Sequence, residues 1–369
     1  MKVIIAGGGT AGHINPGLAI ANHIKLKKPE TEIIFVGTKK GLETTLIPRE
    51  GYMLELINVM GFKRKISVEN VKAIKELVQS LNQVKRIIKR FKPDIVIGTG
   101  GYVCGPVLYV AARMKIPTLI HEQNVFPGLT NRILSRFVDI VAVNFKESEK
   151  YLRHSKELIH TGNPIKTEIL DNIKQNSNTK GKAEIKPLVV IFGGSRGAEN
   201  INKSALELIE KYCKDCNFNI LFATGTVHYE RIIKTVGTDI PKSVQIVPYI
   251  YDMGKVMASA DLVVCRAGAI TISELTVLGV PSILIPSPYV TANHQEYNAR
   301  TLEKNGASVV ILEKDLNEKL LYEQIGDLLK NKEQLKKMGT NAKNMGIIDA
   351  GEKIYSLIER LVLHYYNHR

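Results

Sequence analysis

Apolar runs rich in Val and Ile recur along the chain, each ending in glycines or polar residues and followed by a segment whose apolar positions lie three and four apart. Strands buried on both faces read as continuous apolar runs, and helices with one buried face show the longer period. The alternation predicts a mostly parallel sheet with helices on both sides. In the first half, strands are expected at 2–6, 33–36, 95–98, 118–121, 140–143 and 158–161. The plan restarts at Leu188, with strands expected at 188–192, 219–223, 244–247, 262–265, 282–285 and 308–312. A polar run lacking periodicity, 175–182, reads as a surface loop near the junction. The fold class is therefore α/β, two Rossmann-like doubly wound domains facing a central cleft. The expected division is 1–163, 164–342 and a terminal segment 343–369, whose amphipathic helix at 351–366 could pack back on the first domain.

Two strands open directly into glycine loops, VIIAGGGTAGH at 3–13 and VVIFGGSRGA at 189–198. Backbone N–H groups at such a strand-to-helix turn can face an anion. The first loop fits G-x-G-x-x-G at Gly7, Gly9 and Gly12. A dinucleotide site also needs an acid closing the second strand, to hold the ribose. Here that strand runs into Gly37-Thr38-Lys39-Lys40, so a nicotinamide oxidoreductase is the weaker reading.

A length of 369 residues suits two domains, and 44% hydrophobic with 24% charged residues is ordinary for a globular chain. No apolar run approaches the roughly 18 residues of a membrane span, and the chain enters a strand at once, so a cytoplasmic location is expected. The net charge of +15 favours polyanionic partners, or else reflects lysines on solvated faces. Aromatics make up 6% with no Trp, and no aromatic-basic run of the RNA-binding kind occurs, so no nucleic-acid partner is expected. Cys213 and Cys216 have C-x-x-C spacing but lie between a helix and a strand without a second pair, a coincidence rather than a metal or redox motif. No Asp-x-Asp occurs, so neither a metal nor another cofactor is expected, and leaving-group charge would fall to N–H groups, a helix dipole and Lys or Arg.

Seven ordered motifs carry a resemblance. They are 7–13 with 16–19, Gly100-Gly101-Tyr102, His121-Glu122-Gln123-Asn124, Gly162-Asn163-Pro164, 193–198, 266–274, and His294-Gln295 with Asn298-Ala299. Together the set resembles the lipid II-forming N-acetylglucosaminyltransferases of peptidoglycan synthesis, enzymes of the GT-B type. The resemblance implies an inverting transfer of GlcNAc from UDP-GlcNAc to the 4-hydroxyl of the muramyl sugar of lipid I, in cell-wall assembly, cell shape and division. It implies a peripheral location on the cytoplasmic face of the membrane, and contacts with other cell-wall synthesis proteins. The closest chemical rival is a UDP-GlcNAc epimerase of the same fold; a non-enzymatic membrane module would leave the second-half motifs unexplained.

Carried over residue by residue, the resemblance implies donor contacts at Thr10, Ala11, Gly12, Asn124, Lys166, Ser195, Ile250, Ala269, Ile270, Thr271, Ile272, Ser273, Glu274 and Gln295. Among these, Glu274 would hold ribose, Ile250 uracil and Gln295 the sugar, although from the residue alone Glu274 equally suits a helix dipole. Lys166 stands where many members have Arg, keeping the charge but losing the bidentate fork. Acceptor contacts fall at Gly100, Gly101 and Tyr102. The base that takes the acceptor's proton is either His13 or Glu122. For the membrane, cations at 63–65 and along 72–90 flank an apolar band in the predicted helix 68–91, a basic amphipathic surface suited to an anionic leaflet or a helix with a solvated face.

Overall fold

The computed structural model describes residues 1–61, 68–165, 169, 186–194, 196–214, 216–237 and 240–367, without the side chains of 68–72. Lys63, Arg64, Lys65, Lys166 and Ser195 lie outside the described residues, as does the polar run 175–182. The chain divides into two compact units, Met1–Ile165 with Asp349–Arg369, and Lys166–Ile348. The breaks expected from sequence lie at 163/164 and 342/343; the latter falls inside the helix Lys332–Met345, which the structure keeps whole.

In the first unit the order is β1 (Lys2–Gly7), α1 (Ala11–Lys27), β2 (Glu32–Thr38), α2 (Glu43–Arg49), β3 (Met53–Ile57), α3 (Val68–Phe91), β4 (Ile95–Gly100), α4 (Cys104–Arg113), β5 (Thr118–Glu122), α5 (Leu129–Leu134), β6 (Ile140–Val143) and β7 (Leu158–His160). All its strands pair in parallel, in the order β3-β2-β1-β4-β5-β6-β7. Along β1, Val3 and Ile5 join one core layer with Ile14, Ile20 and Ile24 of α1, while Ile4 and Ala6 join the other with Val84 and Ile88 of α3 and Leu108 of α4. Burial on both faces is why this strand is continuously apolar. The terminal helix Ala350–Asn367 belongs to the first of these layers through Ile354, Tyr355 and Ile358. Each such buried side chain contributes roughly 1.5–3 kcal/mol.

The second unit runs β8 (Leu188–Phe192), α6 (Glu199–Tyr212), β9 (Asn219–Ala223), α7 (Tyr229–Val236), β10 (Val244–Val247), α8 (Met253–Ser259), β11 (Leu262–Cys265), α9 (Ala269–Leu278), β12 (Ser282–Leu284), α10 (His294–Lys304), β13 (Ser308–Val310), α11 (Glu318–Lys330) and α12 (Lys332–Met345). Its parallel sheet has the order β10-β9-β8-β11-β12-β13. In both sheets the first strand of the unit is flanked on either side by strands reached in opposite directions. Ligands of open α/β sheets bind beyond the carboxyl ends of strands at such a reversal. That point is β1/β4 in one unit and β8/β11 in the other, and each carries a glycine loop. Cys213 and Cys216 are buried free thiols packed in the second unit's core. Among the described residues no helix is long and apolar enough to cross a membrane.

Candidate active site

At the β1/β4 reversal the backbone of the loop after β1 lies against that of the loop after β4. Gly8 N donates to Gly100 O at 3.3 Å, and a side chain at Gly101, where φ is +85°, would begin 2.5 Å from Gly8 O. A Cβ at Gly100 (φ +118°) would meet the His13 ring at 2.5 Å, so glycine there is what lets the imidazole lie on the loop. Tyr102 is 36% exposed and stands beside Gly9.

His13 sits in the first turn of α1 with Nδ1 3.1 Å from Gly8 O. A carbonyl oxygen only accepts, so Nδ1 carries the proton and Nε2 presents its lone pair. The Thr10 hydroxyl lies 3.4 Å from the same Nδ1. Among the described residues Nε2 has no hydrogen-bond partner. Thr99 Oγ1 donates to His13 O at 2.7 Å, pinning the turn from β4.

A residue that the sequence reading did not single out supports this loop. Glu43, fully buried at the start of α2, accepts from Gly9 N at 2.9 Å, from Thr38 N at 2.9 Å and from Thr38 Oγ1 at 2.7 Å. Burial pushes its pKa up, but these hydrogen bonds outweigh burial and the carboxyl titrates below its ordinary range. An acid does follow the second strand, yet it holds backbone.

Glu122, the other candidate base, is 2% exposed. One oxygen accepts from Asn124 N at 3.0 Å and Asn124 Nδ2 at 3.3 Å, the other from Gly128 N at 3.1 Å and Asn131 Nδ2 at 2.8 Å. Four donors occupy its acceptor positions and organise the loop 122–128. Next to it, His121 is fully buried between Gly162 O (2.9 Å) and Gln123 Nε2 (3.1 Å), and burial lowers its pKa to about 4.

In the second unit, Gly193 and Gly197 border a cavity of about 560 Å³, also lined by Ala198, Glu199, Arg266, Ser287, Gln295 and Glu313. Gly197 has φ +79°, and a Cβ there would begin 2.1 Å from Thr224 O. Gln295 Oε1 accepts from Ser287 N at 2.9 Å, which fixes the side chain in the cavity wall. Helix α9 opens at the carboxyl end of β11 without a side-chain cap, so its first N–H groups, among them those of Ile270 and Thr271, head the turn. Glu274, half-buried, lies one turn further on. The Ser273 hydroxyl donates to Ala269 O at 3.0 Å, and Ile272, Ala269 and Ile250 are buried at 1, 7 and 6%. Ile272 and Ser273 therefore face their own core and helix. Thr10, Ala11, Gly12 and Asn124, assigned to the donor by resemblance, belong to the first unit, and the other described donor residues to the second.

The model of the glycosyltransferase family 28 N-terminal domain matches residues 3–143, and that of the C-terminal domain of the same family matches 188–361. The UDP-N-acetylglucosamine–N-acetylmuramyl-(pentapeptide) pyrophosphoryl-undecaprenol N-acetylglucosamine transferase of Acetivibrio thermocellus is 59% identical over 98% of both chains. The enzyme of that name from Bacillus cytotoxicus is 46% identical over 98% of this chain and 100% of its own. Among solved structures, MurG of Acinetobacter baumannii superposes with a TM-score of 0.78 at 28% identity, covering 97% of this chain and 99% of that one. UDP-GlcNAc 2-epimerase of Neisseria meningitidis, at 17% identity and a TM-score of 0.66 over 98% of this chain and 100% of that one, shares the fold.

Proposed function

The chain belongs to glycosyltransferase family 28, and from that premise we propose that it moves N-acetylglucosamine from UDP-GlcNAc to the muramyl 4-hydroxyl of undecaprenyl-pyrophosphoryl-MurNAc-pentapeptide, giving lipid II and UDP. The relatives' shared name supplies the reaction. The observation that carries the mechanism is the His13 ring, tautomer-locked on Gly8 O with no partner on Nε2 among the described residues. Nε2 takes the proton of the acceptor hydroxyl as its oxygen attacks the anomeric carbon from the face opposite UDP, so configuration inverts. Glu122, saturated by four donors, is the weaker choice of base and serves as the anchor of its loop. Gly100, Gly101 and Tyr102 hold the acceptor sugar.

The donor's diphosphate rests on the Gly193–Gly197 turn and the start of α9, with Glu274 on the ribose, Gln295 on the sugar and the Ile250 segment on uracil. Ile272, Ser273 and Ala269 act through the backbone they hold. Ser195 and Lys166 complete the phosphate contacts by resemblance. No metal is assigned a step.

The lipid-linked acceptor calls for a membrane face, and the first unit offers one. On α3, Val84, Ile87 and Ile88 fill the core, but Ile74 (54% exposed) and Val78 (56%) do not. Leu129 (64%), Ile133 (53%) and the edge-to-face pair Tyr109–Phe137 extend exposed apolar surface over α4 and α5, which pack in series with α3. Exposed Lys75, Lys85, Arg86, Lys89 and Arg136 lie on or beside these elements. Such a surface suits an anionic leaflet.

UDP release from UDP-GlcNAc, followed with and without a short-chain lipid I analogue, tests the reaction. Release should require the analogue and should fall by two to four orders of magnitude, roughly, in His13→Gln. Release that ignores the analogue would overturn the transferase assignment, and a folded His13→Gln protein as fast as the parent would remove His13 as the base.

A further inference from the structure

Arg266 belongs to the longest motif of the second half, yet the reaction above gives it no part. It leaves the carboxyl end of β11 with its side chain 14% exposed, paired to Glu313, which is 6% exposed. Nη1 faces the Glu313 carboxylate and donates to Ile285 O at 3.2 Å. Glu313 in turn accepts from Asn200 Nδ2 at 2.6 Å, which ties the pair to the first turn of α6. Nε and Nη2 have no hydrogen-bond partner among the described residues, so three of the five N–H groups of a largely buried guanidinium remain for a ligand. Burying that cation is costly unless it is paired and its donors are satisfied, and Glu313 supplies only the first.

Its place specifies the ligand atom. Arg266 lines the cavity together with Gly193, Gly197 and Gln295. It grips the carbonyl of Ile285, two residues before Ser287, whose N–H holds Gln295. The guanidinium thus shares one cavity with the glycine turn assigned to the diphosphate and the glutamine assigned to the sugar. We propose that Arg266 is a catalytic residue that donates to the β-phosphate of UDP-GlcNAc and takes up the leaving-group charge, an inference that rests on the donor reading above. In the transfer the bond from the muramyl oxygen to C1 forms and the bond from C1 to the β-phosphate oxygen breaks. The electron pair stays on that phosphate oxygen, beside Arg266, and the hydroxyl proton goes to His13. Charge that develops only as the bond breaks is where a fixed cation accelerates a reaction most.

Titration calorimetry of the full chain with UDP and with UMP separates this contact from a structural one. Two variants serve: Arg266→Lys, which keeps the pair with Glu313 but loses the fork, and the double variant Arg266→Gln/Glu313→Gln, which leaves no buried charge unpaired. Both should bind UDP at least about tenfold more weakly, the scale of one hydrogen bond to a charged group, while UMP affinity stays that of the parent. Turnover should fall by about a hundredfold or more, the scale of losing one donor to a developing oxyanion. Equal losses for UDP and UMP, or unchanged UDP binding, would overturn the proposal. Failure of the unaltered protein to bind UDP would instead overturn the donor reading on which it stands.

Discussion

Replacing Glu43 by Gln tests whether the glycine loop of the first unit is held from below. The carboxylate takes three hydrogen bonds, from Gly9 N, Thr38 N and Thr38 Oγ1, in a pocket so close that a Cβ on Gly8 or Gly41 would come within 2.7 or 1.9 Å of a carboxylate oxygen, and one on Gly37 within 2.7 Å of the Glu43 Cγ. A glutamine of the same shape must turn its NH2 toward Gly9 N or toward the Thr38 pair, so at least one buried donor loses its acceptor, at about 1–3 kcal/mol. The remaining bonds lose their ionic character, about half their strength. The sum is roughly 2–5 kcal/mol of local stability, concentrated where Gly8 O positions His13. Hydrogen exchange at the Gly9 and Thr38 amides should accelerate by at least tenfold, and turnover should drop although Glu43 touches no substrate. The carboxyl's folded pKa lies below its ordinary 4.5, so its contribution is present above that value and is lost as pH falls through the folded pKa. Exchange and turnover in Glu43→Gln matching those of the parent protein would refute the reasoning.

The ribose assignment predicts that Glu274→Ala weakens UDP binding by about 1–3 kcal/mol in calorimetry; unaltered affinity in the folded variant would remove it. For the membrane face, Ile74→Ser with Val78→Ser, or charge reversal at Lys75, Lys85 and Lys89, should abolish salt-sensitive binding to anionic vesicles, each cation contributing about 1 kcal/mol, while transfer to a soluble acceptor survives. His121 binds its proton with a pKa of about 4 when folded against 6.5 ordinarily, so the unfolded chain holds more protons between those values and stability falls as pH drops from 6.5 toward 4. The full effect is on the order of 3 kcal/mol, and urea titrations of His121→Gln should show that much less loss across the window.

The strands of both sheets were legible because a strand buried on both faces has no polar position to confuse its period, as in Ile4-Ile5 or Val189-Val190-Ile191. Strand β3, Met53–Ile57, was not foreseen. It is the edge of its sheet, with Met53 and Glu55 at solvent or half-buried, and its five residues lack the apolar continuity of the centre. Glu43 escaped for another reason. Its partner Gly9 lies 34 residues away, and only the fold reveals that the missing ribose acid has a neighbour turned toward the backbone. The glycine loops and His13 stood out from their motifs, but the tautomer of His13 and the saturation of Glu122 depend on Gly8 O, Gly128 N and Asn131 Nδ2, contacts that spacing does not encode. Arg266 was visible as a letter in a motif; its near-burial beside Glu313, from the end of another strand, is a property of the sheet order.

The central claim is direct displacement by the acceptor at the anomeric carbon. Carbon NMR of UDP-GlcNAc labelled with ¹³C at C1, incubated with the protein and a soluble lipid I analogue, reads that carbon's fate. The account predicts conversion of the α-linked signal to a β-linked glycoside in step with UDP, and no change when the analogue is omitted. A retained α configuration, or a signal from UDP-linked N-acetylmannosamine appearing without any acceptor, would contradict it.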